Sequence, residues 1–197
     1  FIHHGGQGAP FARFSNFLAI TGLMVTAMLA GLNLRESGQA FQGMILTDAA
    51  TSYIIMLLSL AGIITALLAR PYFEHREAHR GEFYILLLFA VTGMSLMASA
   101  NDLIALFLGI ELMSFCLYVM AGFERTKDKQ NESALKYFLL GAFASAFLLY
   151  GMALIYGSVG STNFDAIARA YAGLSNQPLF LLGTALLIVG LGFKVAA

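Results

Sequence analysis

The chain has 197 residues, 59% of them hydrophobic and 11% charged, with 11 Lys+Arg balancing 11 Asp+Glu and a mean hydropathy of +0.77. So apolar a composition excludes a water-soluble domain and points to a helical membrane protein, because no stretch alternates polar and apolar residues as ~10-residue barrel strands do. Zero formal charge argues against a nucleic-acid partner, and the single cysteine, Cys116, rules out an internal disulfide or a CxxC metal site and reads as a small buried hydrophobe.

A helix needs ~20 residues to cross ~30 Å of hydrocarbon, and six stretches qualify. In chain order they are residues 14–34, 49–69, 83–101, 103–123, 132–156 and 178–197. The first three are bounded by Arg13 and Arg35, Asp48 and Arg70, and Glu82 and Asp102. The fourth is interrupted only by Glu111 and the fifth by Lys136, while the sixth carries Lys194 near its end. Residues 35–48 read as a loop, and 101–102 as a tight turn. Between the last two spans, Phe164, Ile167, Ala168, Tyr171 and Leu174 recur at helical spacing, with Asp165 and Arg169 elsewhere around the wheel. That pattern predicts a short amphipathic surface helix, used for packing or anchoring. The start lacks an initiator methionine and a signal-peptide pattern, and the end stops inside an apolar helix, so both ends are expected to be cut.

Arg13, Arg70, Arg76, Arg80, Arg125, Lys127 and Lys129 fall on one side of this topology, and only Arg35 and Arg169 on the other. The basic side is expected to face the cytoplasm or a mitochondrial matrix. All four histidines, His3, His4, His75 and His79, lie in polar connections. His75 and His79 have the i, i+4 spacing of a metal pair, but Arg70, Glu74, Arg76, Glu77 and Arg80 around them make a solvated headgroup-level loop the favoured reading and a metal the minor alternative.

Ionisable groups within the spans are the candidate functional residues, since a charge at mid-membrane costs about 2.5–3.5 kcal/mol on insertion scales. Glu111 lies ~13 Å in from the outer side by helix rise, beyond snorkelling reach. It must be protonated, paired or wet. Lys136 is ~8 Å from the basic side, and either snorkels to the headgroups or belongs to a membrane lysine line. Lys194 lies ~24 Å from the outer side on a regular helix, ~11 Å deeper than Glu111, and Gly190 and Gly192 before it are expected to loosen or break that helix. Ser95, Ser99, Ser114 and Ser145 are suited to a hydrated interior or to close packing, with Gly141, Ala142 and Ala146. The 17 Phe and 8 Tyr read mostly as lipid-facing and core filler.

The segments LFLGIELMS (106–114), SALKYFLLGAFASAFLLYGMALIYG (133–157) and IVGLGFKVA (188–196) resemble three consecutive helices of subunit N of the proton-pumping NADH:quinone oxidoreductase, respiratory complex I. The likeness extends over the chain from about residue 45. The first and third segments also resemble the related antiporter-like subunits of complex I and of multisubunit cation/proton antiporters. The resemblance implies an all-α membrane protein, here six spans corresponding to helices two to seven of a bundle of about 14. It implies that Glu111 pairs with Lys194, the lysine of a broken seventh helix, that Lys136 is a further membrane lysine, and that all three transfer protons. It further implies an integral subunit of a bacterial or mitochondrial inner membrane. Its partners would be lipid, protons and other membrane-arm subunits, with NADH, FMN, iron–sulfur clusters and quinone on other chains. No haem-type ligand pair or glycine-rich dinucleotide loop occurs in the sequence. Two other readings stand beside this one: a cation/proton antiporter subunit, and a scaffold whose ion pairs are static.

Overall fold

Each of the six apolar stretches is helical in the computed structural model, which describes residues 8–75, 81–123, 128–173 and 177–195. The helices are α1 (Gly8–Leu32), α2 (Ala49–His75), α3 (Glu82–Ser99), α4 (Leu103–Ala121), α5 (Asp128–Val159), the short α6 (Phe164–Ala170) and α7 (Gln177–Lys194). All but α6 contain a segment long and apolar enough to cross a membrane. The chain is an integral, multi-pass membrane protein.

Three of these helices outrun their apolar stretches. α1 begins at Gly8, not at 14, with Arg13 inside it. α2 continues through Pro71 to His75 instead of stopping near Ala69, because neighbouring groups in a membrane bundle can satisfy the carbonyl that an interior proline leaves free. α5 begins at Asp128, not at 132, since its polar first turn forms helix in the headgroup layer as readily as the apolar part does below it. α7 runs unbroken through Gly190 and Gly192 to Lys194, so the expected loosening does not occur within it. His3, His4 and His79 lie outside the described residues, as do Arg76, Arg80, Arg125, Lys127 and the side chain of His75.

The 35–48 connection is a hairpin, not a plain loop. Strands β1 (Gly38–Ala40) and β2 (Ile45–Thr47) pair antiparallel. Their turn places Phe41, Gln42 and Gly43 at φ of 52°, 57° and 85°. Only the glycine adopts that conformation without cost, and each of the other two residues gives up roughly 1–2 kcal/mol there. The turn is held from outside: the Gly43 carbonyl accepts from Asn101 Nδ2 at 3.2 Å and from Asn163 Nδ2 at 3.3 Å.

The same knot fixes the connections at this end of the bundle. Asn101 N donates to Met44 O, Leu103 N to Thr162 O and Phe164 N to Asn101 O. Asp102, only 3% exposed, caps α4 by accepting from Ile104 N at 2.8 Å and also accepts from Thr162 Oγ1 at 2.6 Å. The turn at 101–102 is therefore a structural joint, and the starting level of α4 is pinned to the end of α5. Asp48 caps α2 in the same way, and the Thr51 amide at 2.7 Å holds its carboxyl below the usual carboxylate range.

Glycine crossings set the helix registers. A methyl group on Gly93 would come within 2.8 Å of the Gly109 carbonyl, and one on Gly151 within 2.7 Å of the Gly183 carbonyl. α3 with α4, and α5 with α7, thus form two tightly packed pairs whose backbones touch, as small residues allow in membranes. α1 joins α2 and α3 through Ala19, Leu23, Ala66, Leu87 and Val91. A second core of Leu103, Met152 and Ile155 joins α4 to α5, with Phe164 and Ile167 of α6 packed beneath it. The expected amphipathic helix is therefore present over Phe164–Ala170, followed by a single 3-10 turn, and its apolar side serves packing; Leu174 lies outside the described residues.

Candidate functional site

Between the two helix pairs, α4 turns Glu111, Ser114 and Tyr118 toward α5 and α7. Their i, i+3, i+7 spacing puts all three on one helix face. Lys194 Nζ lies 3.3 Å from Glu111 Oε1, 3.1 Å from Ser114 Oγ and 3.1 Å from the Tyr118 hydroxyl. Ser145 Oγ of α5 lies 2.6 Å from Glu111 Oε1, to which it donates, and 3.0 Å from the Gly141 carbonyl, the alternative acceptor of the same hydrogen. The lysine side chain is 9% exposed and the glutamate 33%. The glutamate therefore keeps an open side while its partner is enclosed.

The difference in depth between the two charges is real, and the lysine stem closes it. On α5, Gly151 and Ile155 sit beside Gly183, and Ala144 and Leu148 beside Gly190, so Ser145, and Glu111 with it, is level with the residue just after Gly190. The Lys194 backbone then lies about 5 Å further along the bundle than Glu111 by helix rise. Side chains lean toward the N-terminus of their helix, which for Lys194 is toward Glu111. No helix break is needed. Gly190 serves close packing instead, since a methyl group there would meet Leu148 Cγ at 2.5 Å.

Of the three ionisable residues singled out in the sequence, the structure brings together Glu111 and Lys194. Lys136 stands apart: it pairs with Glu132 one turn earlier, and the two side chains are 70% and 63% exposed. Nine residues separate it from Ser145, which turns it half-way round α5 from the site. Exposed i, i+4 pairs contribute only a few tenths of a kcal/mol. Lys136→Ala should therefore lower the turnover of the assembled protein less than Lys136→Glu, which sets two like charges side by side. The comparison is made as the rate of proton-coupled activity per assembled complex.

Three partners are less visible from the sequence. Ser114 and Ser145 fit close packing first and hydration second, and both touch the pair directly. Tyr118, grouped with the filler aromatics, is a ligand of the amine. Its signal was the spacing of seven residues from Glu111. Among the described residues, no cluster of three or more His, Cys, Asp or Glu could hold a metal.

The pattern described as NADH:quinone oxidoreductase/Mrp antiporter, TM, matches residues 100–197, the part that carries this site. NADH-quinone oxidoreductase subunit N 1 of Chloroherpeton thalassium is 44% identical over 186 residues, covering 94% of this chain and 39% of the relative. Subunit N 1 of Sorangium cellulosum is 47% identical over 205 residues, covering 98% and 40%. A chain of respiratory complex I from Thermus thermophilus with bound aureothin superposes with a TM-score of 0.77 at 35% identity, over 94% of this chain and 39% of that one. A chain of the membrane-bound sulfane sulfur reductase, an archaeal respiratory complex, shares the fold with a TM-score of 0.72 at 18% identity. The chain thus spans about two fifths of the length of the relatives it matches.

Proposed function

This chain belongs to the subunit N family of the NADH-quinone oxidoreductases, and from that premise we propose that it is part of a proton-translocating membrane-arm subunit in which Glu111 and Lys194 carry the coupled charge. The observation that carries the reading is the ion pair at 3.3 Å, its lysine enclosed, with hydroxyls around the amine and a packed helix pair on either side.

The chemistry follows from the geometry. Together, carboxylate and ammonium stabilise each other where little water screens them. Separating such a pair by a few ångströms in a medium that penalises charge favours the transfer of a proton. A slight displacement of α4 against α5 and α7 thereby becomes a proton transfer. Glu111, with its open side, exchanges protons with water or with whatever covers that face. The Ser145 hydroxyl at 2.6 Å fixes the carboxylate rotamer. In this reading the chain binds no NADH, flavin, iron–sulfur cluster or quinone; those belong to other subunits, and electron transfer there supplies the displacement.

The family description also names cation/proton antiporters, in which the same pair would exchange protons for another cation. Affinity purification of the full-length protein from its native membrane separates the two. Co-purification of an NADH-oxidising assembly, with proton transport that depends on NADH and quinone, is the expected result. Recovery with no NADH-oxidising partner, together with cation-dependent proton exchange, would favour the antiporter reading.

A further inference from the structure

Tyr118 is 8% exposed and sits where α4, α5 and α7 meet. Its ring is gripped edge-on by Tyr137, with centroids 4.7 Å apart, and by Phe138 at 5.9 Å. Its hydroxyl is seated over Gly141, where even a methyl group would overlap the phenol oxygen and Cζ. One glycine on α5 thus makes room for a hydroxyl from α4 to reach a lysine on α7. The Lys194 amine is as close to Tyr118 and Ser114, at 3.1 Å each, as to its counterion at 3.3 Å. Tyr118 also lies beyond Glu111 along α4, on the side from which the lysine stem approaches. A phenol hydroxyl can accept from an ammonium and donate to a neutral amine, so it can partner Lys194 in either protonation state.

We propose that Tyr118, seated by Gly141, is a positioning residue that, with Ser114, holds the Lys194 amine when it separates from Glu111. Opening of the pair is then a short sideways transfer from carboxylate to hydroxyl, and the amine is never left bare in an apolar setting. The proposal rests on the ion-pair reading above and adds to it the second seat that the lysine occupies.

The test uses the full-length subunit in its assembled complex. Tyr118→Phe keeps the ring and its edge contacts but removes the hydroxyl. It should lower NADH-driven proton translocation about tenfold, the worth of one hydrogen bond to a charged group. The KM for quinone should be unchanged, and the solvent deuterium isotope effect should decrease, because opening of the pair, and no longer the proton transfer that follows it, has become the slow step. Gly141→Ala, which displaces the hydroxyl, should act in the same direction and add little to Tyr118→Phe. Tyr150→Phe, at an exposed position outside the site, is the reference. Should Gly141→Ala fail to assemble, Tyr118→Phe decides alone. Turnover and isotope effect for Tyr118→Phe at the Tyr150→Phe level, with Glu111→Gln impaired, would overturn this proposal only. Full activity of Glu111→Gln would overturn the ion-pair reading beneath it.

Discussion

Glu111→Gln, in the assembled complex, is expected to cut NADH-driven proton translocation at least tenfold while leaving the bundle folded. The amide has the shape of the carboxylate, and its oxygen can still accept from Ser145 and from Lys194, which now lie 2.6 Å and 3.3 Å from Glu111 Oε1. Packing at Gly109, a little over half a turn before it, is untouched. Only the charge is lost. Tenfold corresponds to about 1.4 kcal/mol in the barrier, a modest share of what breaking a buried pair costs and in keeping with the partly open side of Glu111. Glu111→Asp retains the charge on a shorter stem and should keep part of the activity. Electron transfer from NADH to an artificial acceptor, which in this account involves other subunits, should be normal in both.

Lys194 offers a sharper distinction, because three substitutions separate charge, volume and proton release. Lys194→Ala removes both stem and charge, and Lys194→Met keeps most of the stem. Both should lose translocation at least tenfold, which excludes a pure packing role. Lys194→Arg preserves the ion pair, but a guanidinium is effectively never deprotonated in proteins. If the lysine hands on a proton, arginine should assemble well and still translocate poorly. If the pair is a static tie between helices, arginine should serve as well as lysine. Assembly is checked by the yield of intact complex, and translocation by acidification of closed vesicles on addition of NADH.

The spans and the pair were legible in the sequence for one reason: charge is so costly in hydrocarbon that its presence or absence marks both the helices and the exceptions to them. The same logic failed where the cost vanishes. The first turn of α5, Asp128–Asn131, lies at the headgroup level, where polar residues form helix freely, so a count of apolar residues starts that helix late. The hairpin escaped because its strands are only three residues long and its turn puts two non-glycine residues at positive φ. Their strain is offset by Asn101 and Asn163, which are distant in sequence. Depth counting places Lys194 and Glu111 ~11 Å apart, and less than half of that offset exists in the backbone. A one-dimensional ruler omits the direction in which side chains lean. Tyr118 was hidden for a related reason: a tyrosine among 17 Phe and 8 Tyr is informative only once a glycine on another helix is known to make room for its hydroxyl.

The central claim is that Glu111 and Lys194 act as one unit, and a double-substitution cycle tests it most directly. Proton translocation per NADH oxidised is measured in vesicles for Glu111→Gln, for Lys194→Met and for the two combined, with equal amounts of assembled complex. Residues that work together lose their function once, so the double variant should fall little below either single one. Losses that multiply, or full translocation by assembled Glu111→Gln, would contradict the account and leave the pair as a structural tie.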